Sequence, residues 1–310
     1  MGQKKLLLFK PNMIHEVRKA FNLEGPGRME AAVDLLEEWM QKQRHFTKHD
    51  IPRHYLETTL ITCKGSMERS KAMLDKICTM RTLVPEFFGE YDVKRDFPGL
   101  RDYFVTVLLP KPTADLCRVY VCKIYDNGSM KKHAMNALRY LTILADYVKL
   151  NDYLGKAIVI VDLIDANLSD LIGGIDVVDI KRHSSIIMDG FGMRPQKVYV
   201  LTASKLVCTL MTLMKSAVKQ KVASRMEVVK SCEELHKHLP REILPMDYGG
   251  KEESIRDIQD LWLDALSEQE FLEYLREMNT AKTNEALRLR ADFNQNYAGM
   301  PGTFKYLHID

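Results

Sequence analysis

Apolar residues recur every three or four positions through most of the first ninety residues. In "MEAAVDLLEEWMQKQ", Val33, Leu36 and Met40 share one helical face. A second stretch, "MERSKAMLDKICTMRTLVPEFF", repeats this pattern; Ser66 or Gly65 starts it and Pro85 ends it. The pattern predicts an N-terminal helical domain, which we bound at residues 1–95.

The pattern changes after Phe97. Four short runs rich in β-branched residues follow, "YFVTVLLP", "RVYVCKIYD", "AIVIVDL" and "KVYVLT", and a shorter strand candidate, "RMEVV", comes later. Helical runs, "KKHAMNALRYLTILADYVKL" and one around "DIKRHSSIIMDG", separate the second, third and fourth strands. Strands that alternate with helices predict βαβ units and a mostly parallel sheet. We therefore expect an α/β domain over residues 96–250, followed by a C-terminal helix and tail over residues 251–310.

A Met-rich amphipathic run, "SKLVCTLMTLMKSAVKQKV", follows the fourth strand. One helical face carries the apolar positions Val207, Leu210, Met211, Met214 and Val218, and Leu206 widens it. The run becomes basic toward its end, where Lys221 and Arg225 are four residues apart and are expected to share a face of the same helix. The ordinary interpretation is a helix packed on the sheet; the alternative is a helix that covers a lipid and meets an anionic membrane.

Composition narrows the functional classes. The chain has 310 residues with 45 basic and 42 acidic side chains, a net charge of +3 that does not suggest a nucleic-acid partner. None of the six cysteines forms a CxxC pair, which favours reduced thiols in a cytoplasmic protein. No run of eighteen apolar residues exists, and the start, "MGQKKLLLFKP", is too short in apolar residues for a signal peptide.

The sequence offers little catalytic chemistry. No GxGxxG follows "AIVIVDL", so Asp162 is interpreted as a strand-end residue that bonds a loop. His45, His49 and His54 are interpreted as a solvated loop and not as a metal site, and His183 lies beside Ser184 without a nucleophile elbow. We expect no enzyme activity, no cofactor and no metal.

One late motif, "LPREILPMDYGG" at residues 239–250, combines two Leu-Pro pairs with a Tyr and adjacent glycines. Proline fixes φ and glycine permits positive φ or close backbone approach. The motif predicts a rigid turn with Leu239, Leu244 and Tyr248 buried against the core.

This motif, the preceding strands and the Met-rich helix resemble the CRAL-TRIO lipid-binding family, which includes α-tocopherol transfer protein, cellular retinaldehyde-binding protein and the clavesins. The helical segments before them look like the N-terminal domain of that family. The end, "MPGTFKYLHID", is similar to the insect branch. The resemblance implies an α/β domain with an apolar cavity under a mobile gate helix, here residues 204–218.

The resemblance also implies site residues. Ligand-lining positions carried over by position are Leu138, Leu141, Ala145, Val159, Val161, Ile186, Ile187, Phe191, Val198, Leu206, Val207, Leu210, Met211 and Met214. The basic residues that hold a phosphoinositide head group in the tocopherol-binding members correspond to Arg194, Lys221 and Arg225.

The chain departs from the family pattern at three places. Ile61 stands where an F-L-R motif has arginine, and the gate run has "TASK" and "KSAV" where the family has Asn-Pro and K-P-F. Ala145 replaces a hydroxyl residue near the polar end of the ligand. A tocopherol ligand is therefore not implied, and Thr142 and His183 are alternative polar contacts.

The function expected from the sequence is cytoplasmic binding and intermembrane transfer of a small hydrophobic ligand, such as a retinoid, tocopherol-like, carotenoid or terpenoid lipid. Transient peripheral contact with a phosphoinositide or anionic membrane would assist release. The rival hypothesis is a phosphoinositide-sensing, membrane-recruited regulator without lipid cargo.

Overall fold

The computed structural model describes residues 6–125, 128–153, 155–174 and 176–288. Predictions for the tail beyond residue 288, including its similarity to the insect branch, lie outside the described residues. The fold is mixed α/β, as predicted, with helices before, within and after a five-stranded sheet.

Six α-helices precede the sheet among the described residues. The helices are α1 Met13–Lys19, α2 Arg28–Gln41, α3 Arg53–Thr62, α4 Met67–Leu83, α5 Val93–Asp96 and α6 Leu100–Tyr103. The cap at the start of α4 is confirmed, because the Ser66 hydroxyl accepts a hydrogen bond from the Arg69 backbone N–H. The interpretation of His45 as solvated is wrong: its ring is buried, with Nε2 3.3 Å from the Asp75 carboxylate.

The sheet has the strand order β1-β2-β3-β4-β5. Its strands are β1 Phe104–Leu108, β2 Arg118–Ile124, β3 Lys156–Asp162, β4 Arg194–Leu201 and β5 Met226–Val229. β1 pairs with β2 antiparallel and the other pairs are parallel, so the prediction of a mostly parallel sheet is confirmed.

The remaining helices connect the strands and follow the sheet. Their bounds are α7 Ser129–Asn151, α8 Leu168–Gly174, α9 Val177–Ser185, α10 Val207–Ala217, α11 Gln220–Ala223, α12 Cys232–Leu235, α13 Ile255–Leu266 and α14 Gln269–Asn279. A π-turn, Ile186–Gly190, continues α9. The single C-terminal helix expected from the sequence is two helices, because the Ser267 hydroxyl bonds the Asp92 carboxylate at 2.6 Å and Glu268 is extended.

Both faces of the sheet are covered. Val198 and Val200 pack with α8 and α10 in one buried cluster. Tyr199 and Leu201, which alternate with them and point to the other face, pack in a larger cluster that includes Trp262 of α13. A third cluster joins the N-terminal helices to α7 and the π-turn. α7 therefore contributes to two cores at once.

Candidate ligand cavity and basic cleft

An apolar cavity of about 760 Å³ lies at the carboxyl end of the sheet. The strand residues that line it include Cys122 and Ile124 of β2 and Val161 of β3. Its walls come from α7, α8, α9 and α10, with Leu138, Leu141, Leu171, Ile180, Leu210 and Met214 among the lining side chains. Strand ends supply the floor and four helices supply the sides, so the cavity depends on the whole α/β domain.

The mouth of this cavity is polar. Lys132 of α7, Ser169 and Asp170 of α8, and Asp176 before α9 are solvent-exposed lining residues. Asp176 caps α9 by accepting hydrogen bonds from the backbone N–H groups of Val178 and Asp179. An apolar interior with a polar mouth is the usual arrangement of a pocket that encloses most of a small hydrophobic ligand.

Five of the fourteen ligand-lining residues carried over from the resemblance line this cavity. They are Leu138, Leu141, Val161, Leu210 and Met214. Two of the four helices that supply the walls, α7 and α10, therefore include residues expected from the sequence, as does strand β3, while the polar mouth was not expected.

The other nine lie elsewhere. Ala145, Ile186 and Phe191 are buried against the N-terminal helices, and Ile187 packs beside them. Val198 and Met211 are buried between α10 and the sheet, where Val159 and Val207 are partly buried. Leu206, just before α10, is 44% exposed. The roles of these nine as ligand contacts remain predictions.

Two uncharged polar side chains are buried beside elements that form the cavity, although neither lines it. Thr106 of β1 is directly opposite Cys122 in the strand register, and its hydroxyl interacts with the Cys122 thiol. The His183 ring is 7% exposed, its Nε2 is unbonded, and burial lowers its pKa to about 4, so the ring is neutral at pH 7. The Thr142 hydroxyl, in contrast, donates to the Leu138 carbonyl within its own helix.

A second cavity, the basic cleft, has a volume of about 590 Å³ and lies at the opposite end of the strands. Lys156 begins β3, Arg194 begins β4, and Arg225 precedes β5. Because these three strands are parallel, their amino ends meet at one edge of the sheet. This topology brings together residues that are far apart in the chain.

Seven cations line the basic cleft against two anions. The cations are Lys64, Arg69, Lys156, Arg194, Lys219, Lys221 and Arg225, and the anions are Glu16 and Asp189. All three basic residues expected from the resemblance are therefore in one cleft. Lys156 precedes a predicted strand and was detectable from that position; Lys64 and Arg69 come from the helical domain, and strand periodicity gives no signal for them.

Most of these cations are not neutralised by the protein. Lys219 forms an ion pair with Asp189 at 2.5 Å, and the Arg225 guanidinium donates to the Pro195 carbonyl. Among the described residues, Lys64, Arg69, Lys156, Arg194 and Lys221 form no ion pair. Unpaired cations in a concave site focus a positive potential on any anion that enters.

The gate helix is shorter than the sequence suggested. α10 ends at Ala217, Val218 is extended, and Lys221 lies in the separate helix α11. The expectation that Lys221 and Arg225 share a face at the end of the gate helix is therefore wrong. Near the break, the Ser216 hydroxyl bonds the Leu213 carbonyl at 2.7 Å, which offers the last turn an alternative to continued helix.

The motif at residues 239–250 packs against the carboxyl end of β3, at the same end of the sheet as the apolar cavity. Leu239, Leu244 and Tyr248 are buried, as predicted. The Tyr248 hydroxyl donates to the Asp162 carboxylate at 2.8 Å, and that carboxylate also accepts hydrogen bonds from the Lys123 ammonium and the Ile164 backbone N–H. Asp162 is thus the strand-end, loop-bonding residue that the sequence predicted.

Gly250 has a steric role in this motif. A Cβ at this position would lie 1.9 Å from the Leu244 carbonyl oxygen. The preceding glycine, Gly249, has φ of +67°, a conformation that side chains rarely adopt. The two glycines therefore allow the turn to approach its own backbone.

The described residues contain no group of three or more His, Cys, Asp or Glu side chains placed to hold a metal ion. In the same ranges, no helix combines the length and apolarity needed to span a bilayer. The six cysteines, all within the described residues, are free.

Comparison with known proteins agrees with this architecture. Residues 106–250 match the family model for the CRAL/TRIO domain, and residues 26–97 match a Pinta-like UBA domain. Relatives named alpha-tocopherol transfer protein-like, from Homo sapiens and Mus musculus, are 35% and 34% identical over 71 residues. That match covers 23% of this chain and 21% of each relative.

Among solved structures, the crystal structure of Sfh5 superposes with a TM-score of 0.46 at 12% sequence identity, covering 84% of this chain and 96% of that one.

By its CRAL/TRIO domain the chain belongs to the CRAL-TRIO family, a family of lipid-binding and lipid-transfer proteins. The resemblance recognised in the sequence is thereby confirmed.

Proposed function

We propose that this protein binds a small hydrophobic ligand in the apolar cavity and transfers it between membranes. The observation that carries the proposal is the cavity itself, about 760 Å³ and lined by Leu138, Leu141, Val161, Leu210 and Met214. Protein pockets for ligands of drug-like size have volumes of roughly 300–1,000 Å³. Each Å² of apolar ligand surface removed from water there would contribute about 25 cal/mol.

The basic cleft is proposed to bind the head group of a phosphoinositide or another anionic membrane lipid. Five of its seven cations have no ion-pair partner among the described residues, and they converge from the helical domain and from three strands. Multiply charged phosphate groups are the ligands that such converging Lys and Arg side chains bind best. Peripheral, transient membrane contact is therefore part of the proposal.

Ligand release is proposed to depend on α10, which lines the cavity, and on the segment directly after it, which lines the basic cleft. Leu210 and Met214 line the cavity, and Lys219, two residues after the helix, pairs with Asp189 in the basic cleft. An anionic head group would compete with Asp189 for Lys219. Loss of that ion pair would free the end of α10 from the π-turn and favour an open lid.

We propose no catalytic step. The cavity-lining thiol, Cys122, has its pKa raised to about 11 by burial, so it is not a thiolate at neutral pH. His183 is neutral and has no nucleophile bonded to it among the described residues. A cytoplasmic site of action is included in the proposal, with six free cysteines as its support.

Native mass spectrometry of freshly purified protein, with organic extraction and identification of the released lipid, tests the cargo. We expect a one-to-one complex with a single-chain hydrophobic molecule, and transfer of that molecule between donor and acceptor vesicles in a fluorescence assay. Protein that binds phosphoinositide vesicles but contains no lipid and takes none up would support the regulator without cargo and overturn the transfer function.

A further inference from the structure

We propose that the apolar cavity selects ligands with a neutral, hydrogen-bonding polar end, such as an alcohol, and rejects lipids that end in a carboxylate. This inference rests on the proposed cargo function and specifies the chemical class of the cargo. It follows from the charges around the cavity mouth and from the apolar lining of the interior, where the described residues supply no cation.

The mouth carries an excess of negative charge. Among the described lining residues the only cation is Lys132, whereas Asp170, Asp176 and Asp179 are carboxylates. Asp170 is on α8, whereas Asp176 caps α9 and Asp179 is in its first turn, so a ligand group at the mouth would meet carboxylates from two helices. Lys132 is in the first turn of α7, where the helix N-terminus also attracts anions, but three carboxylates line the same mouth, and among the described residues only Asp179 has a cation beside it, Arg182.

The environment of Asp179 shows that water screens this region incompletely. Burial raises the pKa of the Asp179 carboxyl, and the neighbouring Asp176 charge raises it further. The Arg182 guanidinium, 3.6 Å from Asp179, acts in the opposite direction but is shared with Glu86. A ligand carboxylate would add another negative charge to a site that already disfavours its own.

The buried end of the cavity provides no cation either. Thr106, opposite Cys122 in the strand register, is fully buried; it does not line the cavity, and its hydroxyl interacts with the Cys122 thiol. His183 lies one helical turn after Asp179 and Ile180 on α9, with its unbonded Nε2 on a neutral ring. Neither Thr106 nor His183 is a lining residue, and neither carries a positive charge. The described lining residues therefore offer a ligand carboxylate no cation other than Lys132 at the mouth.

Matched pairs of ligands that differ only at the polar end test the inference. Delipidated protein would be titrated with all-trans-retinol and all-trans-retinoic acid, and with a long-chain alcohol and the fatty acid of equal length, at pH 7.5. We expect each alcohol to bind at least about tenfold more tightly than its acid, the scale of one uncompensated like-charge contact in a partly dehydrated site.

Charge variants locate the cause. The double variant Asp176→Asn, Asp179→Asn keeps a capping side chain at residue 176. It should lower the ratio of alcohol affinity to acid affinity, because only the affinity for the acids should rise. Lys132→Gln removes the cation at the mouth and should therefore increase the ratio of alcohol affinity to acid affinity. Asp115→Asn, an equal charge change at an exposed residue that does not line the cavity, should leave the ratio unchanged.

The outcomes separate the two proposals. Equal binding of alcohol and acid, or tighter binding of the acid, would overturn the selectivity and leave the cargo function standing. A ratio that the double variant does not change would exclude the acidic mouth as its origin. Failure of both alcohols and both acids to bind, with no lipid extracted from the native protein, would overturn the cargo function and this inference together.

Discussion

The apolar cavity and the basic cleft occupy opposite ends of the same parallel strands and have opposite chemistry. At the carboxyl end, Val161 of β3 faces the apolar cavity; at the amino end, Lys156 of the same strand faces the basic cleft. A strand of seven residues spans about 23 Å, so the two regions can be changed independently. Direct contact cannot couple them; α10 lines the cavity, and the segment that follows it, beginning with Lys219, lines the cleft.

The largest effect is expected from a substitution that destabilises the whole fold, and with it both the apolar cavity and the basic cleft. Gly250→Val would place a Cβ against the Leu244 carbonyl oxygen, a contact that the backbone must move to relieve. We expect the free energy of unfolding to fall by about 3 kcal/mol or more, measured by denaturant titration or thermal melting.

Gly249→Asn provides the control for this change, because Asn tolerates a positive φ better than most residues. It should destabilise less. If the Gly250→Val protein had the same melting temperature as wild type, the motif at residues 239–250 would not be needed for the stability of the fold.

The next largest effect separates the regions by disabling only the cavity. Leu210→Asp would place a carboxylate on a side chain that is 1% exposed and lines the cavity. We expect affinity for a fluorescent retinoid to fall by about a hundredfold or more, because a buried charge has no partner there. Binding to phosphoinositide vesicles should persist.

Thr212→Asp makes the same chemical change on the exposed side of α10 and should leave the affinity intact. Circular dichroism would confirm that both variants are folded. If the Leu210→Asp variant bound the retinoid as tightly as wild type does, α10 would not be part of the ligand site.

The third test disables only the cleft. The triple variant Arg194→Ala, Lys221→Ala, Arg225→Ala should weaken binding to phosphoinositide vesicles by roughly a hundredfold, since each basic residue near an anionic surface contributes about 1 kcal/mol. Raising the salt concentration should weaken wild-type binding more than binding of the variant. Retinoid affinity should hardly change.

A matched triple variant, Lys230→Ala, Lys237→Ala, Lys282→Ala, removes the same charge from exposed residues that do not line the cleft. It should bind vesicles nearly as wild type does. If the two triple variants sediment alike with vesicles, net charge alone explains the binding and the head-group site is wrong.

The smallest effect concerns the link between the regions. The Lys219–Asp189 ion pair is partly exposed, and such pairs contribute at most about 1 kcal/mol. Asp189→Ala should therefore strengthen vesicle binding up to about fivefold, by removing a competing carboxylate, and should accelerate ligand transfer. Asp189→Asn should act in the same direction. Slower transfer in both variants would show that Asp189 does not hold the lid closed.

The two regions also differ in how far the sequence predicts them. Periodicity predicted the helices and strands, and the cleft residues Arg194, Lys221 and Arg225 converge because parallel strands share an amino end. Lys64 and Arg69 join them only through docking of the helical domain on the sheet. No local pattern encodes that contact.

The cavity was predicted less completely, because an apolar face of a helix can pack against another element or line a cavity, and the sequence pattern is the same in both cases. Ala145 and Leu138 are both on α7, yet Ala145 packs against the N-terminal helices and Leu138 lines the cavity. The acidic mouth was missed because Asp170, Asp176 and Asp179 have the spacing of ordinary caps and solvated turns, and their shared location depends on how α8 and α9 pack.

The basic cleft and the acidic mouth place opposite charges at the two ends of the strands. With a net charge of only +3, we expect orientation and not overall attraction to dominate the proposed approach to an anionic bilayer. At physiological ionic strength the field is screened beyond about 8 Å, so we expect the turning torque to act only in the last nanometre. In the proposed membrane contact, the amino ends of the strands would meet the lipid head groups first, and the carboxylates at the other end would be held off the surface.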